Sequence, residues 1–78
     1  MFDRRTKLML MLGLLNDAYA EAKSIIVSIG DFIESHPEMK EEIEEFRLAE
    51  VVSEATNLEK KIFDIMEELK REIYQKDE

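Results

Sequence analysis

The chemically most capable groups in this sequence are carboxylates concentrated in one segment. Between residues 38 and 54 the chain holds seven acidic side chains and two basic ones. On a helix, carboxylates three or four residues apart share a face, and hard cations such as Mg²⁺ and Mn²⁺ prefer such oxygen ligands. This spacing is compatible with a divalent-metal-dependent all-α hydrolase. A metal site of that kind also needs acids that point into a bundle, with partners that orient them.

The same acids flank an apolar stripe, as the solvated faces of helices normally do. We therefore predict no metal site and no cofactor, and keep the hydrolase only as an alternative. The acidic run also suits a recognition surface for a basic protein, or a decoy that occupies a nucleic-acid-binding protein. The residues of this candidate acidic partner surface are Glu41, Glu42, Glu44, Glu45, Glu50 and Glu54.

Other catalytic apparatus is sparse. His36 is the only histidine, and Pro37 directly after it indicates an exposed turn rather than a pocket. No histidine is placed to activate the four serines, and the two glycines form no phosphate-binding loop. We therefore predict no catalytic residue and a protein that is not an enzyme.

Length and charge set the class of protein. Seventy-eight residues allow one small domain, and the absence of cysteine excludes disulfides and thiolate metal sites and fits a reducing compartment. Nineteen acids against eleven bases give a net charge of -8, which argues against binding to a phosphate backbone. The basic side chains of residues 4–7 form a single small cluster. The sequence therefore predicts no nucleic-acid partner.

The N-terminal half has the periodicity of one amphipathic helix. Apolar residues recur at alternating steps of four and three, which predicts a helix over about residues 4–34 with Asp3 as its N-cap. In heptad notation the d positions are Leu8, Leu15, Ala22 and Ile29, and the a positions are Leu12, Tyr19, Ile26 and Ile33.

This helix is more apolar than one neighbouring helix requires. Between residues 8 and 33, 17 of 26 positions are apolar, whereas a core-facing helix needs about three in seven. The g positions of the heptad are apolar as well, so we expect the helix to be covered on more than one side. The predicted interface, with a second copy or another protein, consists of Leu8, Met11, Leu12, Leu15, Ala18, Tyr19, Ala22, Ile25, Ile26, Ile29 and Phe32.

The opening apolar run has two other interpretations. A membrane span needs about 20 apolar residues, but the run in KLMLMLGLLNDAYAE stops at Asn16, after eight residues. The basic residues at 4–7 and the Ala18-Tyr19-Ala20 motif resemble a signal peptide. The heptad register passes through that motif without interruption, which favours a core helix. We predict a cytoplasmic protein without a membrane span, with export and residues 1–20 as a signal peptide as the alternative.

The C-terminal half is also helix-forming. A turn is predicted at residues 35–37, because proline cannot continue a helix interior. Residues 38–75 then carry two apolar stripes about 130° apart, one starting at Met39 and one at Leu48. Because no glycine or proline interrupts this segment, we expect one long helix over about 38–75. The alternative is a break near residues 46–48 or 53–57.

These observations predict an all-α fold, namely an antiparallel helical hairpin in a single domain, residues 1–78. Two helices offer one seam, and an uncovered apolar surface would promote aggregation. A twofold dimer that forms a four-helix bundle, or coiled coil, is the simplest closed arrangement. The predicted function is a small acidic protein-protein interaction module, regulatory, adaptor-like or chaperone-like.

Overall fold

The computed structural model describes residues 2–75, and all regular structure within them is helical. Helix α1 spans Arg4–Ser35, a 3₁₀ turn spans Pro37–Met39, α2 spans Lys40–Glu45 and α3 spans Leu48–Ile73. The chain forms a hairpin in which α1 packs along α3. The predicted all-α hairpin is therefore confirmed.

The start of α1 is fixed by a side-chain cap. Asp3 lies in an extended conformation, and its carboxylate accepts a 2.8 Å hydrogen bond from the backbone N–H of Thr6. This backbone hydrogen bond lowers the pKa of Asp3 below its ordinary value of 3.8. The N-cap predicted from the sequence is confirmed, and it satisfies one of the donors that a helix start leaves unpaired.

Three contacts set the antiparallel register of α1 and α3. Near the open end, the guanidinium of Arg4 lies 3.1 Å from the carboxylate of Glu72. In the middle, the rings of Tyr19 and Phe63 lie 6.1 Å apart. One turn further on, the ammonium of Lys23 lies 3.6 Å from the carboxylate of Glu59.

The seam between the two helices holds the core. Every a and d residue of α1 is half-buried or buried, and Ala22 is the most enclosed side chain, at 3% exposure. Its small size lets the two helices approach closely at the centre of the hairpin. The buried residues that α3 contributes are Ala55, Ile62, Met66, Leu69 and Ile73.

A histidine closes the turn after α1. The helix ends at Ser35, within the predicted turn, and Pro37 occupies the first turn of the next element. No side-chain cap forms at that start. Instead, Nδ1 of His36 lies 2.9 Å from the carbonyl oxygen of Phe32, and the two rings stack with centroids 4.3 Å apart. The histidine therefore helps to close α1.

The prediction of one continuous helix over 38–75 is wrong. The chain breaks between α2 and α3, at the first of the two alternative positions, and Arg47 adopts the left-handed conformation with φ 56° and ψ 44°. The second alternative is excluded, because the hydroxyl of Thr56 bonds back to the carbonyl of Val52 within an unbroken α3.

The break turns Ile43 of the first apolar stripe towards the hairpin, while Phe46 of the same stripe stays 70% exposed. A straight helix would point one of the two stripes away, whereas the turn at Arg47 leaves Ile43 of α2 only 7% exposed. Left-handed geometry costs a non-glycine residue about 1–2 kcal/mol. Complete burial of an isoleucine side chain contributes about 1.5–3 kcal/mol. Burial of this side chain therefore offsets the strain.

Candidate interaction surface

Several exposed apolar side chains of α1 and α3 lie on one side of the hairpin, whereas Met9 and Phe63 lie on the other side and Leu10 and Val27 on the outward face of α1. On α3 the d positions start at Leu48. Each g position lies three residues after a d position, as on α1. In an antiparallel pair the g positions of both helices border the same side of the seam. We call this surface the flank face; it consists of Met11, Ala18, Ile25, Phe32, Val51, Leu58 and Ile65.

The flank face is exposed in the single chain. Its α1 residues Met11 and Ile25 are 48% and 41% exposed, and Leu58 of α3 is 52% exposed. Two further apolar side chains border it, Leu14 at 69% and Phe46 at 70%. These are large, substantially exposed side chains, and a contiguous apolar patch of this kind is a candidate interaction surface.

The grooves of the hairpin show some of the residues that lie on each side. One groove brings Phe32 together with Met39, Phe46 and Leu48, so that the flank face continues onto the start of α2. A groove along the other side is lined by residues that include Asn16 and Lys70. The two sides therefore differ in the residues that they present.

The opposite side of the hairpin mixes polar and apolar side chains. Its e positions include Asn16, Lys23, Thr56 and Lys70, with Met9 and Phe63 as exposed apolar members. Lys23 lies 5.2 Å from the centroid of the Tyr19 ring. A side-chain interaction with Tyr19, followed by the Glu59 carboxylate, raises the pKa of Lys23 above its ordinary value.

The surface area of the chain is large for its size. The hairpin measures 60 × 24 × 17 Å and exposes 6500 Å², whereas a compact monomer of this mass exposes about 4,900 Å². From Met11 to Phe32 the flank face is about 32 Å long, and two helices make it about 20 Å wide. This footprint, about 600 Å², approaches the roughly 800 Å² that each partner contributes to a standard interface.

The structure divides the eleven predicted interface residues between two surfaces. Seven of them are half-buried or buried in the seam against α3: Leu8, Leu12, Leu15, Tyr19, Ala22, Ile26 and Ile29. The other four belong to the flank face: Met11, Ala18, Ile25 and Phe32. Val51, Leu58 and Ile65 of the flank face were not among the predicted interface residues. Their spacing of seven residues, offset by three from the d positions, is the signal that identifies them.

The predicted acidic residues do not form one surface. All six are exposed, but Glu42 lines the groove beside Phe46 and Glu44 lines the groove beside Pro37. Glu50 pairs with Arg47 at 3.3 Å. Within residues 2–75, no group of three or more histidine, aspartate or glutamate side chains is placed to hold a metal ion.

A membrane span requires a helix of about 20 predominantly apolar residues. None of the helices within residues 2–75 combines the length and the apolar character that crossing a bilayer demands. The Ala18-Tyr19-Ala20 motif lies inside α1, where Tyr19 packs on Phe63.

The chain is similar to an uncharacterized protein of the archaeon Archaeoglobus fulgidus. The two sequences are 44% identical over 69 residues, which cover 88% of this chain and 91% of the archaeal protein. The chain belongs to the same family as this archaeal protein. No protein-family profile matches the chain, and no solved structure is similar to it.

Proposed function

We propose that this chain is a non-enzymatic protein-protein interaction module that works as a homodimer, with the flank face as its interface. The observation that carries the proposal is the coincidence of two exposed apolar rows. The g positions of α1 and those of α3 border the same side of the seam. The apolar ones are Met11, Ala18, Ile25 and Phe32 on α1 and Val51, Leu58 and Ile65 on α3.

Burial of this face has a favourable energetic balance. Apolar surface contributes about 25 cal/mol for each Å² removed from water. Two copies of a face of about 600 Å², about 60% apolar, gain on the order of 18 kcal/mol before association costs are subtracted. Those costs are about 4–15 kcal/mol. The balance is about 3–14 kcal/mol, and its middle, about 8 kcal/mol, corresponds to a dimer that forms at micromolar concentration.

A second copy suits this face better than a membrane surface does. Membrane-surface helices carry lysine and arginine beside their apolar face, whereas this chain has a net charge of -8. The flank face is also straight and long, as the helices of a four-helix bundle are. Pairing of two hairpins through it forms such a bundle and leaves α2 and the polar e positions at the surface for other proteins.

Light scattering after size exclusion tests the proposal. We expect twice the mass of one chain, which is 9.2 kDa. The reason is that each hairpin covers the apolar face of the other. The chain concentration should be about 10–100 µM, at which specific interfaces are commonly occupied. A folded, soluble chain with a mass of 9.2 kDa throughout this range would contradict the proposal.

A further inference from the structure

We infer that the two hairpins of the dimer pack with their twofold axis parallel to the helices, so that α1 of each subunit lies against α3 of the other. This inference rests on the proposed dimer and adds its symmetry and its charge pairing. Both hairpin turns then lie at the same end of the bundle.

Two closed arrangements can bury the flank face. A twofold axis parallel to the helices places α1 opposite α3 of the partner at the same height. A twofold axis perpendicular to the helices places α1 opposite α1 and α3 opposite α3, with the ends reversed. Both make antiparallel neighbours and bury the same apolar residues, so the charges that border the face distinguish them.

The c positions of the two helices border the flank face on its outer edges. Near the middle these positions are Glu21 on α1 and Lys61 on α3. The register set by Lys23 with Glu59 and by Tyr19 with Phe63 places them at the same height along the hairpin. Both are exposed, and neither has an ion-pair partner among residues 2–75.

The parallel axis brings opposite charges together. Glu21 of each subunit then faces Lys61 of the partner subunit, and symmetry makes this pair twice. At the open end, Lys7 of one subunit lies near Glu72 of the other, because these residues lie at nearly the same height. Each bordering charge near these two positions therefore has a complementary neighbour across the interface.

The perpendicular axis brings like charges together at the centre. Glu21 then faces Glu21 of the partner subunit, and Lys61 faces Lys61. The same arrangement places Glu54 opposite Glu68 of the partner subunit, because both lie at c positions seven residues from Lys61. Because like charges in close contact disfavour an interface, the two central repulsions decide against this arrangement.

The parallel axis has one electrostatic cost. It gathers the two copies of α2, each with four glutamates, at the same end of the bundle. These side chains are exposed, and charges separated by more than about 8 Å are largely screened at physiological ionic strength. The helix-to-helix contacts at the centre involve shorter distances and are screened less.

Cysteine cross-linking tests this symmetry, and the chain provides a clean background because it has no cysteine of its own. The variants are Glu21→Cys and Lys61→Cys, each alone and as an equimolar mixture after subunit exchange. A disulfide forms only where two Cα atoms lie within about 7 Å. Asn57→Cys, at an exposed position away from the flank face, reports random collisions.

We expect a disulfide-linked dimer in the mixture of the two variants, in clear excess over Asn57→Cys, and little linkage in either variant alone. Rapid linkage of Glu21→Cys to itself, or of Lys61→Cys to itself, would overturn the proposed symmetry. The absence of linkage in every sample that light scattering shows to be dimeric would also overturn the proposed symmetry. Neither of these results would overturn the proposed function. A monomeric mass for the unmodified chain would instead overturn the proposed function.

Discussion

Replacement of Leu58 by glutamate should dissociate the dimer. Leu58 lies at the middle of the flank face and is 52% exposed in the single chain, so that the hairpin itself tolerates a charge there. In the dimer the same position is buried, and an uncompensated buried charge costs about 3 kcal/mol or more. Symmetry places two such charges in the interface, which should weaken the dimer at least about a thousandfold.

The neighbouring substitution Asn57→Glu is a matched control for this effect. It adds the same charge one residue earlier, at an exposed position that points away from the flank face. We expect light scattering to give the monomer mass for Leu58→Glu and the dimer mass for Asn57→Glu at the same concentration. Helical circular dichroism that remains in both variants separates dissociation from unfolding. A dimeric Leu58→Glu variant would place the interface elsewhere.

Truncation of Ile62 to alanine should strongly destabilise the hairpin. Ile62 is 7% exposed at a d position of α3, close to the contact between Tyr19 and Phe63. Isoleucine-to-alanine changes in a core cost about 2–5 kcal/mol, because transfer energy is lost and a cavity remains. For a small domain whose free energy of unfolding is about 5–10 kcal/mol, this loss is a large fraction of the total stability.

Leu10→Ala provides the comparison for the truncation of Ile62. Leu10 is 56% exposed and lies outside both the seam and the flank face, so we expect a change below about 0.5 kcal/mol. Urea unfolding at one fixed protein concentration measures both variants, since the stability of a dimer depends on concentration. Equal losses in the two variants would show that the seam is not the core.

The seam between α1 and α3 could be predicted from the sequence because it requires contact with only one neighbouring helix. The alternating steps of four and three from Leu8 to Ile33 define a single helix face, and a face of that kind must be buried against another helix. The cap at Asp3 could be predicted for the same reason: it depends only on residues within one turn. Both features follow from local sequence and need no knowledge of the rest of the chain.

The break at Arg47 depends on tertiary packing, which local propensity does not contain. No glycine or proline marks it, and arginine is a good helix former. The signal was present in the two stripes about 130° apart, since a continuous helix could not present both to α1. The burial of Ile43 decided between the break and the continuous helix, and its magnitude depends on the hairpin as a whole.

In the sequence, the α3 residues of the flank face are difficult to distinguish from the residues of the seam. Val51, Leu58 and Ile65 each lie next to a seam position, so that in the sequence they merge into one broad apolar stripe. The seven-residue spacing separates the two rows once the pairing of α1 with α3 shows which positions of α3 are d positions. The sequence therefore identified the excess apolar surface on α1 but not its continuation on the second helix.

The most direct test of the account is a map of contacts between subunits in the unmodified protein. In an equimolar mixture of isotope-labelled and unlabelled chains, filtered nuclear Overhauser spectra report only contacts across the interface. We predict contacts between the methyl groups of Ile25 and Leu58 of different subunits, and none from Leu10. Contacts that involve Leu10 or Phe63 instead, or a dimer with no contact from Ile25 and Leu58, would contradict the assignment of the flank face as the interface.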